Sequence, residues 1–396
     1  MTPDRGRSPR TILYVHSSGR RYGSDRQLAQ LAAGLDSDRY RAVVILPEDG
    51  ALAGDLRKEG IPVHVRPALA VLRRALFTPR GLAGVGARTA ADAVALGRLT
   101  RRVGASLVHS NTTVTLGGAA AAAAARRPHV WHAREIYADF ARWWPAYRRV
   151  LLTAAAVPCL SEATRRQFGD ATQAVVIPEG VPAEALARRP VARERARAAL
   201  ALPADRFVCL VLGRLTTWKG QEVLARALAE PALRERGAIG LVAGEAWPGE
   251  ERHVRALESL GAELGLGDRL RLLGWRDDLD LLYGAADVVC VPSTLPEPLG
   301  LVALEAAAAS QCVVASDTGG LPEILTDGDN GRLVAPGDAG ALAGVLTELA
   351  DDPDQRARLG AAAADDVRRR FSSQRLLEAT QALYDRVLAG TERGLA

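Results

Sequence analysis

An alternation that runs twice constrains this chain more than any other feature. Short apolar runs are followed by longer stretches with helical periodicity, and the series starts, breaks and starts again. In the first series, Thr11–His16 predicts a buried strand, and Ser24–Leu35 a helix with Leu28, Leu31 and Leu35 on one face. Val43–Leu46, Ile61–Val65, Leu107–His109, His129–Trp131 and Val157–Leu160 follow as strands, with helical stretches between most of them. Strand, helix, strand in repetition specifies a parallel sheet with right-handed crossovers. Two prolines and a glycine within Ile177–Pro182 interrupt the pattern as a turn or linker. A charged helix over Arg188–Leu200 precedes the second series. Its strands are Phe207–Leu212, Ile239–Ala243, Leu270–Leu273, Val288–Val291, Cys312–Ala315 and Arg332–Val334. Asp338–Ala350 and Asp354–Gly390 then read as all-helical.

The expected fold is α/β, with two Rossmann-like parallel-sheet domains and C-terminal helices. Residues 1–183 form the first domain and 184–396 the second, with the last helix packing back toward the first. Open parallel sheets bind ligands outside their strand C-termini, at the point where strand order reverses. Two such edges facing one another would frame a common cleft, and the chemistry belongs on the loops that follow strands.

Composition narrows the classes. Of the 396 residues 48% are apolar, enough for each half to bury a core unaided. Cys159, Cys209, Cys290 and Cys312 lie in or beside apolar runs, and no two have metal-ligand spacing. They read as reduced, buried residues of a cytosolic protein. No run reaches the length of a membrane span, and the N-terminus lacks the apolar stretch of a signal peptide. Residues 1–183 carry a net charge of +12 and the remainder −7. This asymmetry points to an anionic partner for the first half, such as a membrane surface, a lipid phosphate or an acidic glycan, or merely to a genome that writes Arg freely. Nucleic acid is not among the expected partners.

In the second half, Gly213-Arg214-Leu215-Thr216-Thr217-Trp218-Lys219-Gly220 lies between a strand and a helix. A helix N-terminus favours an anion, and Arg214 and Lys219 add a forked donor and a point charge, the set a diphosphate needs. A capped helix with two solvated cations is the plainer alternative. After Val288–Val291 come Pro292, Ser293 and then Glu297-Pro298-Leu299-Gly300-Leu301-Val302-Ala303-Leu304-Glu305. If a helix starts near Pro298, Glu297 precedes it and Glu305 lies about two turns in, within an apolar run. A buried carboxylate needs a partner, and a ribose diol offers two hydroxyls. The backbone N–H groups of Gly300, Leu301 and Val302 suit a phosphate. Asp317-Thr318-Gly319-Gly320-Leu321-Pro322-Glu323 makes another tight loop.

With the Asp327-Gly328-Asp329-Asn330-Gly331-Arg332-Leu333-Val334 segment that follows, this set resembles the retaining GT-B glycosyltransferases of family GT4, glycosyl transferases group 1. The likeness is strong over residues 205–340 and weak before them. It implies transfer of a sugar from a nucleoside diphosphate to an acceptor hydroxyl, with no cofactor or bound metal. Arg214 and Lys219 would hold the diphosphate as it leaves, and Glu297 would contact the transferred sugar. Gly300, Leu301 and Val302 would bind phosphate, Glu305 the ribose, and Gly274 and Trp275 would lie near the base. The resemblance further implies a UDP- or GDP-sugar as donor and, as the expected acceptor, a cell-envelope glycan or lipid-linked molecule at the inner face of the membrane. A natural-product glycosyltransferase and a non-catalytic sugar-nucleotide-binding protein are the rivals. A dinucleotide dehydrogenase is disfavoured, because no strand is followed by Gly-x-Gly-x-x-Gly.

The first half matches less closely. Gly23 stands where the family has two glycines near the diphosphate and acceptor, while Ser24 or Asp25 reads locally as a helix cap. His132 ends a strand in a segment that resembles the family's cleft histidine. Arg134 replaces the usual second histidine, and Glu179 stands where Asn is common. Asn111-Thr112, after another strand, reads as a helix cap or as a contact to the acceptor, the cap being favoured. Tyr137–Arg149 gathers aromatics and arginines around Trp143 and Trp144, and is read either as a helix with a Trp core face or as an interfacial patch.

Overall fold

The computed structural model describes residues 8–73, 76, 78–137, 142–187 and 191–393. They form two compact units, Met1–Glu179 with Gln374–Ala396, and Gly180–Ser373.

In the first unit the strands are β1 (Arg10–Val15), β2 (Tyr40–Leu46), β3 (Val63–Val65), β4 (Ala105–Ser110), β5 (His129–Trp131), β6 (Val157–Cys159) and β7 (Ala174–Val176). Five of them make a parallel sheet in the order β3-β2-β1-β4-β5, and β6 pairs with β7. Parallel bridges from Val130 to Ala156 and from Ala133 to Cys159 join the two pieces. Helices cover both faces of such a sheet, which is why β1 and β2 carry the unbroken apolar runs Ile12–Val15 and Ala42–Leu46. Strand β7 left little trace in the sequence: it has three residues, and only Ala174 is buried. The Ala-rich stretch forms the helix Leu116–Ala125, packed against β4 and β1. Its small residues permit that approach, since a Cβ on Gly118 would run into Ser110 and crowd Val15.

The final helix, Ser373–Arg393, also enters this core. Tyr384 is fully buried, and its hydroxyl meets that of Tyr14 at 2.9 Å and Nδ1 of His109 at 2.6 Å. Nearby, the Tyr40 hydroxyl donates to Asp385 at 2.6 Å and Arg39 pairs with the same carboxylate.

In the second unit β8 (Val208–Leu212), β9 (Ile239–Ala243), β10 (Leu270–Gly274), β11 (Val288–Val291), β12 (Val313–Ser316) and β13 (Arg332–Val334) are all parallel, in the order β10-β9-β8-β11-β12-β13. The order reverses between β8 and β11, which pair from Val288↔Cys209 to Cys290↔Val211. The loops leaving these two strands therefore flank the switch point.

The charged helix ahead of β8 spans Arg193–Ala199, and one of its arginines is not a solvated charge. Arg197 is 2% exposed and donates to the carbonyls of Pro203, Ala204, Arg206 and Ala285 and to Asp287 at 2.7 Å. Asp287 also accepts from the Val208 N–H, so this network fixes the start of β8. All four cysteines are buried and unbridged. Among the described residues no helix is long and apolar enough to cross a membrane.

Candidate active site

The site in the second unit begins with backbone geometry. Gly220 precedes the helix Gln221–Ala229 with φ +75°, and a Cβ there would strike the Pro292 carbonyl oxygen. Glycine thus lets the loop after β8 lie directly on the loop after β11, and the Thr294 N–H seals the contact on the Trp218 carbonyl at 2.8 Å. Lys219 is brought to Glu297 by this approach: Nζ lies 2.6 Å from Oε1, and Ser293 Oγ donates to the same oxygen at 2.6 Å. Glu297 is 4% exposed, so its charge is held by a cation and a hydroxyl rather than by bulk water.

A third loop closes beneath Glu297. Gly319, at φ +62°, leaves no room for a Cβ against the Glu297 backbone, and the Gly320 N–H donates to the Glu297 carbonyl at 2.8 Å. Gly300, at φ +109°, then opens the helix Leu301–Ala308. The first N–H groups of a helix have no acceptor within it, so those of Leu301 and Val302 are available to an anion. Glu305 lies in this helix and is buried. Gln221 Nε2 donates to the Arg214 carbonyl at 2.9 Å, fixing the backbone that carries the second cation. At the β10 end, Gly274 has φ +65° and Trp275 is 46% exposed.

The strand ends of the first unit are built differently. His16 directly follows β1, with Nε2 2.6 Å from Asp25 Oδ1, and Asn111 Nδ2 donates to its Nδ1 at 3.1 Å. Asp25 also accepts from the Tyr22 N–H at 2.8 Å, so it, and not Ser24, secures the start of the helix Gly23–Ala33. Gly23 is the first residue of that helix. Asn111 is not the helix cap its residue type suggests. It also accepts from Arg134 through its carbonyl at 2.8 Å and its side-chain oxygen at 3.2 Å. Arg134 in turn forms a buried ion pair with Glu179. Two of the departures from the family pattern in this half, Arg134 and Glu179, are therefore partners of one another.

His132 is buried beside this chain, and neither ring nitrogen has a hydrogen-bond partner among the described residues. Its ring centroid lies 5.5 Å from that of His109. Burial, with Arg134 and His109 adding to it, lowers the His132 pKa well below 6.5, so the ring is neutral at physiological pH. Burial also lowers that of His109 and takes that of His129 down to about 3. It pushes Glu135 and Glu179 upward, against the pull of Arg134 on each.

The aromatic segment divides. Trp144 stacks on Tyr137 at 4.9 Å, meets Phe168 edge-on at 5.5 Å and donates from Nε1 to the Gln167 carbonyl. Arg148 is also turned inward, onto the Phe168 carbonyl. Trp143, at 48% exposed, and Arg142, Arg149 and Val150 face solvent. Residues 138–141 of this segment, and Arg74 among the arginines of the first half, lie outside the described residues.

Known proteins resemble both units. The family model for glycosyl transferases group 1 matches residues 192–366, and that for glycosyltransferase family 4 matches residues 22–185. The chain belongs to the GT4-type glycosyl transferases group 1 family. A D-inositol 3-phosphate glycosyltransferase of Saccharomonospora viridis is 40% identical over 51% of this chain and 48% of its own length. One of Streptomyces scabiei is 39% identical over 51% of this chain and 46% of its own. The chain thus matches about half the length of these curated relatives. Anabaena Alr3699/HepE, solved with UDP and glucose, is 28% identical over 94% of this chain and 99% of its own, with a TM-score of 0.80. Sucrose-phosphate synthase of Thermosynechococcus elongatus shares the fold at 24% identity, with a TM-score of 0.78 over 96% of this chain and 100% of its own. The fold is that of the GT-B glycosyltransferases.

Within this GT4-type chain, Lys219, Glu297, Gly300, Leu301, Val302 and Glu305 converge on the switch point of the second unit. Arg214 lies on the same β8 loop, and Gly274 and Trp275 lie at the end of β10. Gly23 and His132 belong to the first unit. Sequence reasoning passed over the role of Ser293, although its place just after β11 was visible. It also passed over His16, whose pairing with Asp25 left no local pattern.

Proposed function

We propose that this chain is a retaining glycosyltransferase that moves a sugar from a UDP-sugar to an acceptor hydroxyl. The observation that carries the reading is the Lys219–Glu297 pair set against a glycine-opened helix N-terminus at a Rossmann switch point. The UDP-glucose complex of Anabaena Alr3699/HepE, 28% identical, favours uridine as the base.

In this reading the diphosphate is held by Arg214, Lys219 and the N–H groups of Gly300, Leu301 and Val302. Glu305 accepts from the ribose, and the base lies by Gly274 and Trp275. Charge grows on the departing diphosphate, and cations fixed in advance stabilise it without reorganising. Glu297 Oε1 is already occupied by Lys219 and Ser293, leaving Oε2 for a sugar hydroxyl. Retaining glycosidases set two carboxylates about the bond; here one carboxylate stands by the sugar. That favours attack on the face the leaving group quits, with a phosphate oxygen taking the acceptor proton. A covalent glycosyl–Glu297 intermediate is the second route.

Gly23 and neutral His132 serve the acceptor side. The curated relatives are named for D-inositol 3-phosphate, and a basic first half suits an acceptor that carries phosphate. The envelope reading adds a peripheral, salt-sensitive contact of Trp143, Arg142 and Arg149 with anionic lipid on the cytoplasmic side.

A panel of UDP- and GDP-sugars, read by thermal protection, tests the donor, because bound ligand raises the midpoint by mass action. Proton NMR of the product tests the stereochemistry. An axial donor bond giving an equatorial product would overturn retention, and no protection by any sugar nucleotide would overturn the whole reading.

A further inference from the structure

The loop after β9 carries Trp247, an indole left 36% exposed, so burial does not account for it. The Arg214 guanidinium carbon lies 4.1 Å from the centroid of this ring. Lys219 meets an indole in the same way, with Nζ 4.4 Å from the Trp218 centroid. The chain has six tryptophans, and two of them therefore face the two cations of the switch-point loop.

The geometry of the Arg214 pair is set by backbone. Gly244 has φ +149°, and a Cβ there would collide with the Gly213 carbonyl oxygen. The Gly213 N–H donates to the Ala243 carbonyl at 3.0 Å, and the Leu215 N–H to the Glu245 carbonyl at 3.1 Å. The Glu250 N–H then donates to the Trp247 carbonyl at 2.8 Å, tying the loop to the turn ahead of the helix Arg252–Glu263. Backbone contacts thus tie the two loops together and set the ring against Arg214.

An indole face is the negative pole of an aromatic quadrupole and attracts a guanidinium. It also restricts a long side chain that would otherwise sample many rotamers. We propose that Trp247 is a positioning residue for donor binding, holding the Arg214 guanidinium in advance where the diphosphate of a nucleoside diphosphate meets it. This rests on the reading that Arg214 binds that diphosphate.

The test is calorimetric titration of UDP into the full chain and into Trp247→Ala, Trp247→Phe, Arg214→Ala and the Trp247→Ala/Arg214→Ala double variant, each with its unfolding midpoint. Trp247→Ala is expected to weaken UDP by about 3- to 30-fold at an unchanged midpoint, and phenylalanine to restore most of that. In the Arg214→Ala background the Trp247 change should cost nothing further. The proposal is overturned if Arg214→Ala weakens UDP while Trp247→Ala does not. It is equally overturned if the loss from Trp247→Ala persists in full without Arg214, or if phenylalanine does no better than alanine. Should Arg214→Ala itself leave UDP binding unchanged, the donor-site reading beneath it fails as well.

Discussion

The strand ends of the two units use polar residues to opposite ends. In the first unit the buried groups close on one another: Asp25 on His16, His16 on Asn111, Asn111 on Arg134, Arg134 on Glu179. In the second unit glycines bring three loops together around one ion pair, and the cations remain partly open: the side chain of Lys219 is 21% exposed. A closed network specifies a shape. An open one at a helix N-terminus is prepared for a charge that has yet to arrive.

Substitutions should therefore separate the two. Arg134→Ala strands Glu179 in the interior and should destabilise the fold by about 3–5 kcal/mol, as loss of one partner of a buried pair does. UDP affinity should stay within about twofold of wild type wherever the variant is folded. Chemical denaturation beside UDP titration measures both, and a variant that lost UDP binding and kept its stability would erase the distinction.

Lys219→Ala should do the reverse. Turnover should fall by about 10²- to 10³-fold, since a fixed cation on a leaving group contributes that much. The fold should survive, because Glu297 retains Ser293. Activity within twofold of wild type would remove Lys219 from the reaction.

Within the second unit the two glutamates should also separate. Glu305→Ala should chiefly raise the Kd for UDP, by about tenfold, as loss of a hydrogen bond to a charged group does. Glu297→Gln should chiefly lower kcat and leave UDP binding near wild type. Equal loss of UDP affinity in both would end that division of labour.

The mildest test is pH. His109, His129 and His132 have folded pKa values below 6.5 through burial, so below pH 6.5 the unfolded chain binds protons that the folded chain refuses. Stability is then whole above about 6.5 and falls as the pH drops, for His129 down to about 3. Each contributes up to about 1.4 kcal/mol per pH unit in its window. Glu135 and Glu179, raised by burial from 4.5, act in the opposite sense just above that value. Melting curves from pH 8 to pH 5.5 should show the decline. A midpoint that stayed flat on acidification would show that these histidines charge as freely in the fold as in the unfolded chain.

Much of this was legible in the chain because parallel strands covered on both faces leave plain apolar runs. Val288–Val291 and Ile239–Ala243 were readable to the residue. The donor loops were legible too, since glycine, cation and carboxylate fall just after strands. What could not be read were pairings across long separations. Lys219 and Glu297 are 78 positions apart, and only the order β8-β11 joins them. Arg134 and Glu179, 45 apart, stood out singly but gave no sign of being a pair. Asn111 was misread because capping preference is a local rule, and tertiary partners claimed the side chain instead.

In the proposed function a nucleoside diphosphate is held in the second unit by Arg214, Lys219 and the helix opened by Gly300. Calorimetric titration of UDP and of GDP, each beside its nucleoside, into wild type and Lys219→Ala measures that grip. One diphosphate should bind at least about 100-fold tighter than its nucleoside, the scale of two charge-assisted contacts, and Lys219→Ala should narrow that gap by about tenfold. If nucleoside and diphosphate bind alike, or Lys219→Ala leaves the gap intact, the claim is contradicted.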